Sequence, residues 1–268
     1  MNEPKDVLDE GYALYDAAHV EEALDKVRPL LSRQSSLSLE NRLNLLRLIG
    51  RCSIELGDYE RARQAFDAAS RTAADLDRFD LAVSFFYLCR FDEVEMILDT
   101  LAVYPETEAE MYWYRGLLIE RQGDYEKAES LFRRAARLDS RRFIVPKEIG
   151  ENEARDLYDA VIEDMPGDLR RVLLEVPLLV EELPSDELLE ESNRLHPLVL
   201  ATYAGPLLPP KSPLKPRPQD DRIVLFRRNI AKCIHNRDDL YRELAYTLTH
   251  EIGNHFGWTP EELEDRGL

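Results

Sequence analysis

Gly57-Asp58-Tyr59 opens a segment in which Ala62, Phe66 and Ala69 follow at fixed offsets. Gly123-Asp124-Tyr125 opens a second one, with Ala128, Phe132 and Ala135 at the same offsets. A further glycine, Gly50 or Gly116, stands seven residues before each opening glycine. Weaker copies run through Leu81-Ala82, Phe91, Val94, Leu98 and Leu101, and through Gly11, Val20, Ala23, Val27 and Leu30. The spacing predicts pairs of antiparallel helices. In each pair a small residue on the first helix (Gly50, Ala82, Gly116) and one on the second (Ala62, Ala128) let the two backbones approach. An aromatic pair such as Tyr59 with Phe66 fills the groove between them. The Gly-Asp step breaks the chain between the helices, because glycine accepts positive φ. One such pair cannot bury its apolar face alone, so the copies are expected to stack into a curved solenoid.

Over about residues 4 to 140 this pattern resembles the tetratricopeptide repeat family, whose period is ~34 residues. The resemblance implies an all-α solenoid. Such an array either docks a peptide or protein partner or serves as a scaffold for a second domain.

The pattern changes after Phe143, and the expected domains are 1–145 and 146–268. Glu153 to Asp164 reads as an amphipathic helix carrying Leu157, Ala160 and Val161 on one side, broken by Pro166-Gly167. Val172 to Val180, rich in Val and Leu, reads as a stretch holding a strand. The proline-rich segment 206–218 reads as a loop. Arg222 to Arg227 reads as a strand. Asn236 reads as an N-cap, with Asp238 and Asp239 in the first turn where the helix dipole favours them. The helix it opens is expected to run through Leu240, Leu244 and Leu248 into His250-Glu251-Ile-Gly-Asn254-His255-Phe-Gly257.

That last run carries the chemistry. Two histidines four residues apart on a helix can share one zinc ion, and the glutamate after the first can act as general base. Here His250 and Glu251 are in place, Asn254 stands four residues along, and His255 stands five along. Five residues turn a regular helix by ~500°, which leaves position 255 ~140° away from position 250. A π-bulge is the local distortion that would bring them together.

The segment from about Leu198 to Leu268 resembles the minimal zincin-like metallopeptidase family of short bacterial proteins, more weakly back to Glu151. The resemblance rests on Tyr203-Ala-Gly-Pro-Leu-Leu208, the strand-like Asp221 to Ile230, and HEIGNHFG with an acidic tail. It implies a compact α+β zincin-like domain, with His250 as a metal ligand and Glu251 as the general base. The family's tandem histidines fall on Asn254 and His255, so the ordinary second ligand is absent and weak zinc binding is expected. His255 and Glu261 are the candidates to complete the metal site. Glu262 reads as an ordinary helix-start acid after Thr259-Pro260. His19 reads as a surface residue, while His196 and His235 read as structural or as second-line donors.

Composition narrows the function. The formal charge is −18, which argues against non-specific binding to nucleic acid or anionic membrane. The charge is uneven: residues 151–192 carry fourteen acids and three bases, and residues 211–232 carry seven bases and two acids. Both runs read first as solvated surface, and the basic one also as the rim of a cleft receiving acids or backbone carbonyls. Cys52, Cys89 and Cys233 are odd in number and far apart, which fits a reducing compartment. The polar, acidic start does not read as a secretion signal, and no apolar run reaches the length of a membrane span. A cytoplasmic protein is expected. It is either a metallopeptidase-like protein with an altered motif or a non-catalytic interaction scaffold.

Overall fold

The computed structural model describes residues 3–71, 75–105, 107–191, 195–205, 221–233 and 237–256. The chain divides into two compact units, Met1–Leu138 and Asp139–Leu268.

The first unit is built of helices α1 (Pro4–Asp16), α2 (Val20–Leu31), α3 (Leu39–Glu55), α4 (Tyr59–Ser70), α5 (Asp75–Tyr87), α6 (Phe91–Thr100), α7 (Glu108–Arg121) and α8 (Tyr125–Leu138). They pack as the expected pairs, α1 on α2, α3 on α4, α5 on α6 and α7 on α8, with α4 also against α5. The close approach within a pair is steric. A Cβ built on Gly50 would lie 2.5 Å from the Phe66 ring, and one on Gly116 would lie 2.6 Å from Phe132. Ala62 and Ala128 are buried opposite. Tyr59 has a different job from the one its spacing suggests. Its ring stacks on Tyr87 of α5, with centroids 4.6 Å apart, so it joins successive pairs.

The turns between paired helices all use the left-handed region. Gly57 (φ 72°) and Gly123 (φ 83°) do so without a side-chain penalty, but Ala18 (φ 63°) and Cys89 (φ 59°) hold the same conformation in the first and third pairs. The aspartates after the glycines cap the next helix: Asp58 accepts from the Arg61 N–H and Asp124 from the Lys127 N–H. Between neighbouring first helices, Arg47 grips the buried Asp77 with two hydrogen bonds of 2.6 and 3.0 Å, and Arg51 lies 3.7 Å from Asp80.

The second unit is α+β. Its elements are α9 (Glu151–Glu163), α10 (Gly167–Glu175), β1 (Leu178–Glu181), α11 (Asp186–Glu191), β2 (Ala201–Ala204), β3 (Arg222–Phe226), α12 (Arg227–Lys232) and α13 (Arg237–Phe256). Among the described residues the sheet has three strands in the order β1-β3-β2, with β1 parallel and β2 antiparallel to β3. Ile223, Leu225, Ala201 and Tyr203 share a core with α9, α10 and Leu240, Leu244 and Leu248 of α13. Val224 and Phe226 pack on the opposite side with Val199, Leu188 and Leu195.

Two sequence expectations shift here. Val172 to Val180 holds the expected strand only at its end: α10 runs to Glu175, and β1 takes Leu178–Glu181. Leu169, Val172 and Leu173 recur at helical spacing and are all buried. Two arginines of the basic run also turn inward, while Arg222 stays exposed as expected. Arg227 donates to Ile149 O and to the Glu182 carboxylate, and Arg228 donates to Glu182. They pin the start of α12 to the end of β1.

Candidate active site

Helix α13 carries the motif. It is α-helical without interruption from Arg237 to Phe256, with no π turn. Position 255 therefore stays ~140° around the axis from position 250. The Asn236 cap, the His235 ring and everything from Gly257 on, Glu261 and Glu262 included, lie outside the described residues, as do the Asn254 and His255 side chains.

His250 lies part-way out of the core. Its Nδ1 is 3.0 Å from the Tyr246 carbonyl oxygen, and its ring packs on the Tyr246 ring with centroids 3.8 Å apart. A carbonyl can only accept, so Nδ1 carries the proton and the Nε2 lone pair is the one left for a ligand. This is how second-sphere bonds usually prepare a metal-binding histidine.

Glu251 turns toward β2. Its Oε2 accepts a 2.6 Å bond from the Thr202 hydroxyl and a 3.3 Å bond from the Tyr203 N–H. The sheet order places it there, because β3 is the central strand and β2 is the one that α13 reaches. The register sharpens the point. The Phe226 N–H donates to Leu200 O, and Thr202 lies opposite Val224. In an antiparallel ladder the hydrogen-bonded pairs alternate, so the Tyr203 N–H points away from β3, out over the sheet edge. Glu251 meets it there.

The residues around this edge are close-packed. Thr202 is 4% exposed. The Asp221 carboxylate sits where a Cβ at position 205 would be, which accounts for glycine in Tyr203-Ala-Gly205. Burial and the neighbouring Asp221 push the Tyr203 hydroxyl above the ordinary tyrosine range. His196 is elsewhere in its role: its Nδ1 accepts from the Leu198 N–H, and burial pushes its pKa down to about 4, a neutral loop histidine. His19 is exposed and pairs with Glu22.

A zinc ion of the zincin type asks an α-helix for an imidazole with a free ring nitrogen. His250 fits that request. Among the described residues no three His, Cys, Asp or Glu side chains converge as a metal site, and of the remaining sequence candidates the His255 side chain and the whole of Glu261 lie outside what is described. Thr202 and the Tyr203 amide, the partners of Glu251, were not singled out from sequence as site residues. The only signal was the Tyr-x-Gly stretch itself. Tyr246 was legible in principle, lying one helical turn before His250.

Comparison with known families agrees with this fold. A tetratricopeptide repeat family model matches residues 8–77 and 79–142, half of the chain, and a zincin-like metallopeptidase family model matches residues 173–268. A search of the curated proteins found no match. No helix among the described residues is long and apolar enough to cross a membrane. The second match starts within α10 and takes in the sheet, α12 and α13. The chain therefore belongs to the tetratricopeptide repeat family and joins its repeats to a zincin-like metallopeptidase domain.

Proposed function

We propose that the C-terminal domain is a metallopeptidase-like site of reduced metal affinity, and that the repeat array, residues 1–145, docks a peptide or protein partner. The observation that carries this reading is the pairing of His250, its Nε2 left for a ligand, with Glu251, whose carboxylate is fixed at the β2 edge. His250 would hold the metal through Nε2, with His255 and Glu261 as the further donors. Zinc, when bound, supplies Lewis acidity and a more acidic water. Glu251 would take the proton of the attacking water. Strand β2 would orient an extended polypeptide, since an outward-facing strand edge can pair with another chain.

Weak metal binding follows from the donor set. Asn254 offers a neutral amide where an imidazole belongs, and amide oxygen is a poorer zinc ligand. The three cysteines form no disulfide with one another, which supports a reducing, cytoplasmic setting. Peptide hydrolysis by the wild-type protein is expected to be slow.

A second reading is favoured by the same contact. Glu251 bridging to β2 is also what a purely structural helix-to-sheet brace would do. In that case the protein is a non-catalytic interaction scaffold with a degenerate zincin domain. Metal analysis of the purified protein separates the two. Sub-stoichiometric zinc is expected in the wild type. Asn254→His should raise occupancy and casein hydrolysis together, and His255→Ala should abolish residual binding if that ring is a ligand. Stoichiometric zinc untouched by either change overturns the metal assignment.

A further inference from the structure

We propose that Glu251 is a latch on the sheet edge: its carboxylate occupies the hydrogen-bonding position on β2 that an incoming extended polypeptide would use. This rests on reading α13 as the active-site helix. It adds that the site is closed in its resting state by its own base, and that docking of a polypeptide backbone opens it.

The latch follows from register. Of the two backbone directions on β2, one is spent on β3 through the Leu200–Phe226 and Thr202–Val224 pairs. The other direction belongs to Ala201 and Tyr203. Within β2, Tyr203 offers the outward N–H nearest the motif, and Glu251 Oε2 accepts it at 3.3 Å. The same oxygen takes the shorter bond from Thr202, whose side chain is almost fully buried. A charged acceptor satisfies an edge amide better than a neutral one, so the resting contact is self-sufficient and does not invite a strand.

An extended chain pairing antiparallel or parallel with this edge presents a carbonyl to the Tyr203 N–H. It can form that bond only where the Glu251 carboxylate gives way. Once displaced from Tyr203, the carboxylate keeps the Thr202 hydroxyl as a pivot. The occupant is thus recognised by main chain, not by sequence, and its arrival and the release of the glutamate are one event.

The experiment uses the full chain with three variants, Thr202→Val, Thr202→Ser and Glu251→Ala. Exchange of the Tyr203 amide is followed by NMR. Binding of fluorescein-labelled casein, an unfolded polypeptide, is followed by fluorescence polarisation with a chelator present to stop hydrolysis. Loss of a hydrogen bond to a charged group should speed exchange by about tenfold or more in Thr202→Val and Glu251→Ala. Both should bind casein more tightly than wild type, and Thr202→Ser should match wild type in both readouts. An unchanged Tyr203 amide in Glu251→Ala, or casein binding equal to or weaker than wild type in that variant, overturns the latch. If Thr202→Val fails to fold, Glu251→Ala decides alone. Failure of the zinc reading appears in metal content and leaves these two readouts intact, so the two failures are distinguishable.

Discussion

Asp80 is a carboxylate held largely away from water on α5. Its pKa is raised to about 6, mainly by burial, with Glu110 and Asp77 adding to the rise and Arg51 and Arg47 opposing it. The folded state therefore prefers Asp80 protonated. That preference is fully present below the ordinary aspartate pKa and is lost as pH rises through about 6. The array should lose roughly 1–3 kcal/mol on this account between pH 4 and pH 7. Asp80→Asn should flatten that slope and raise the urea midpoint at pH 7; an equal slope in the mutant would count against it. Asp77 apart, the charged groups around Asp80 lie on α3 and α7, so the local sequence shows little of its setting. The same limit hid Thr202, which meets Glu251 across 49 positions. His250 and Glu251 were legible because adjacent residues on one helix share a fixed geometry. Their partners were not, because strand packing places them.

At the scale of elements, the second and fourth helix pairs were plain in sequence and the first and third were faint, and the turns account for the difference. Gly57-Asp58 and Gly123-Asp124 supply both a left-handed residue and a side-chain cap. Ala18-His19 and Cys89-Arg90 put a residue with a β-carbon in the left-handed position and supply no cap: the cap positions make no side-chain cap bond, and His19 and Arg90 pair instead with Glu22 and Glu93. A β-carbon in the left-handed region costs about 1–2 kcal/mol, offset in part by glycine's extra freedom in the unfolded chain. Ala18→Gly and Cys89→Gly should each stabilise the array by about 0.5–1 kcal/mol, read as a higher urea midpoint. Gly57→Ala should shift it the other way. Unchanged midpoints in all three would remove strain from the account. The stretch Val172 to Val180 does hold the expected strand, but only over its last residues. Val and Leu content favoured a strand, but the spacing of Leu169, Val172, Leu173 and Val176 was helical, and packing on α9 followed the spacing.

For the whole molecule, the sequence was readable at the level of architecture: a repeat array followed by an α+β domain. Each unit also has a buried core of its own. Charge acts at this scale too. With a net of −18, and with Arg227 and Arg228 of the basic run engaged by Glu182, the protein should pass through DNA–cellulose unretained even at low salt; retention would mean that a basic surface dominates the field. The two kinds of turn in the array have a mechanical side. In a stack where each repeat leans only on its neighbours, a strained joint is a weak link, and here weak links at 18 and 89 alternate with sound ones at 57 and 123. Pulled from its ends, such a chain does not snap as one body. It parts at every second joint, giving way in steps while the glycine-turned repeats still hold.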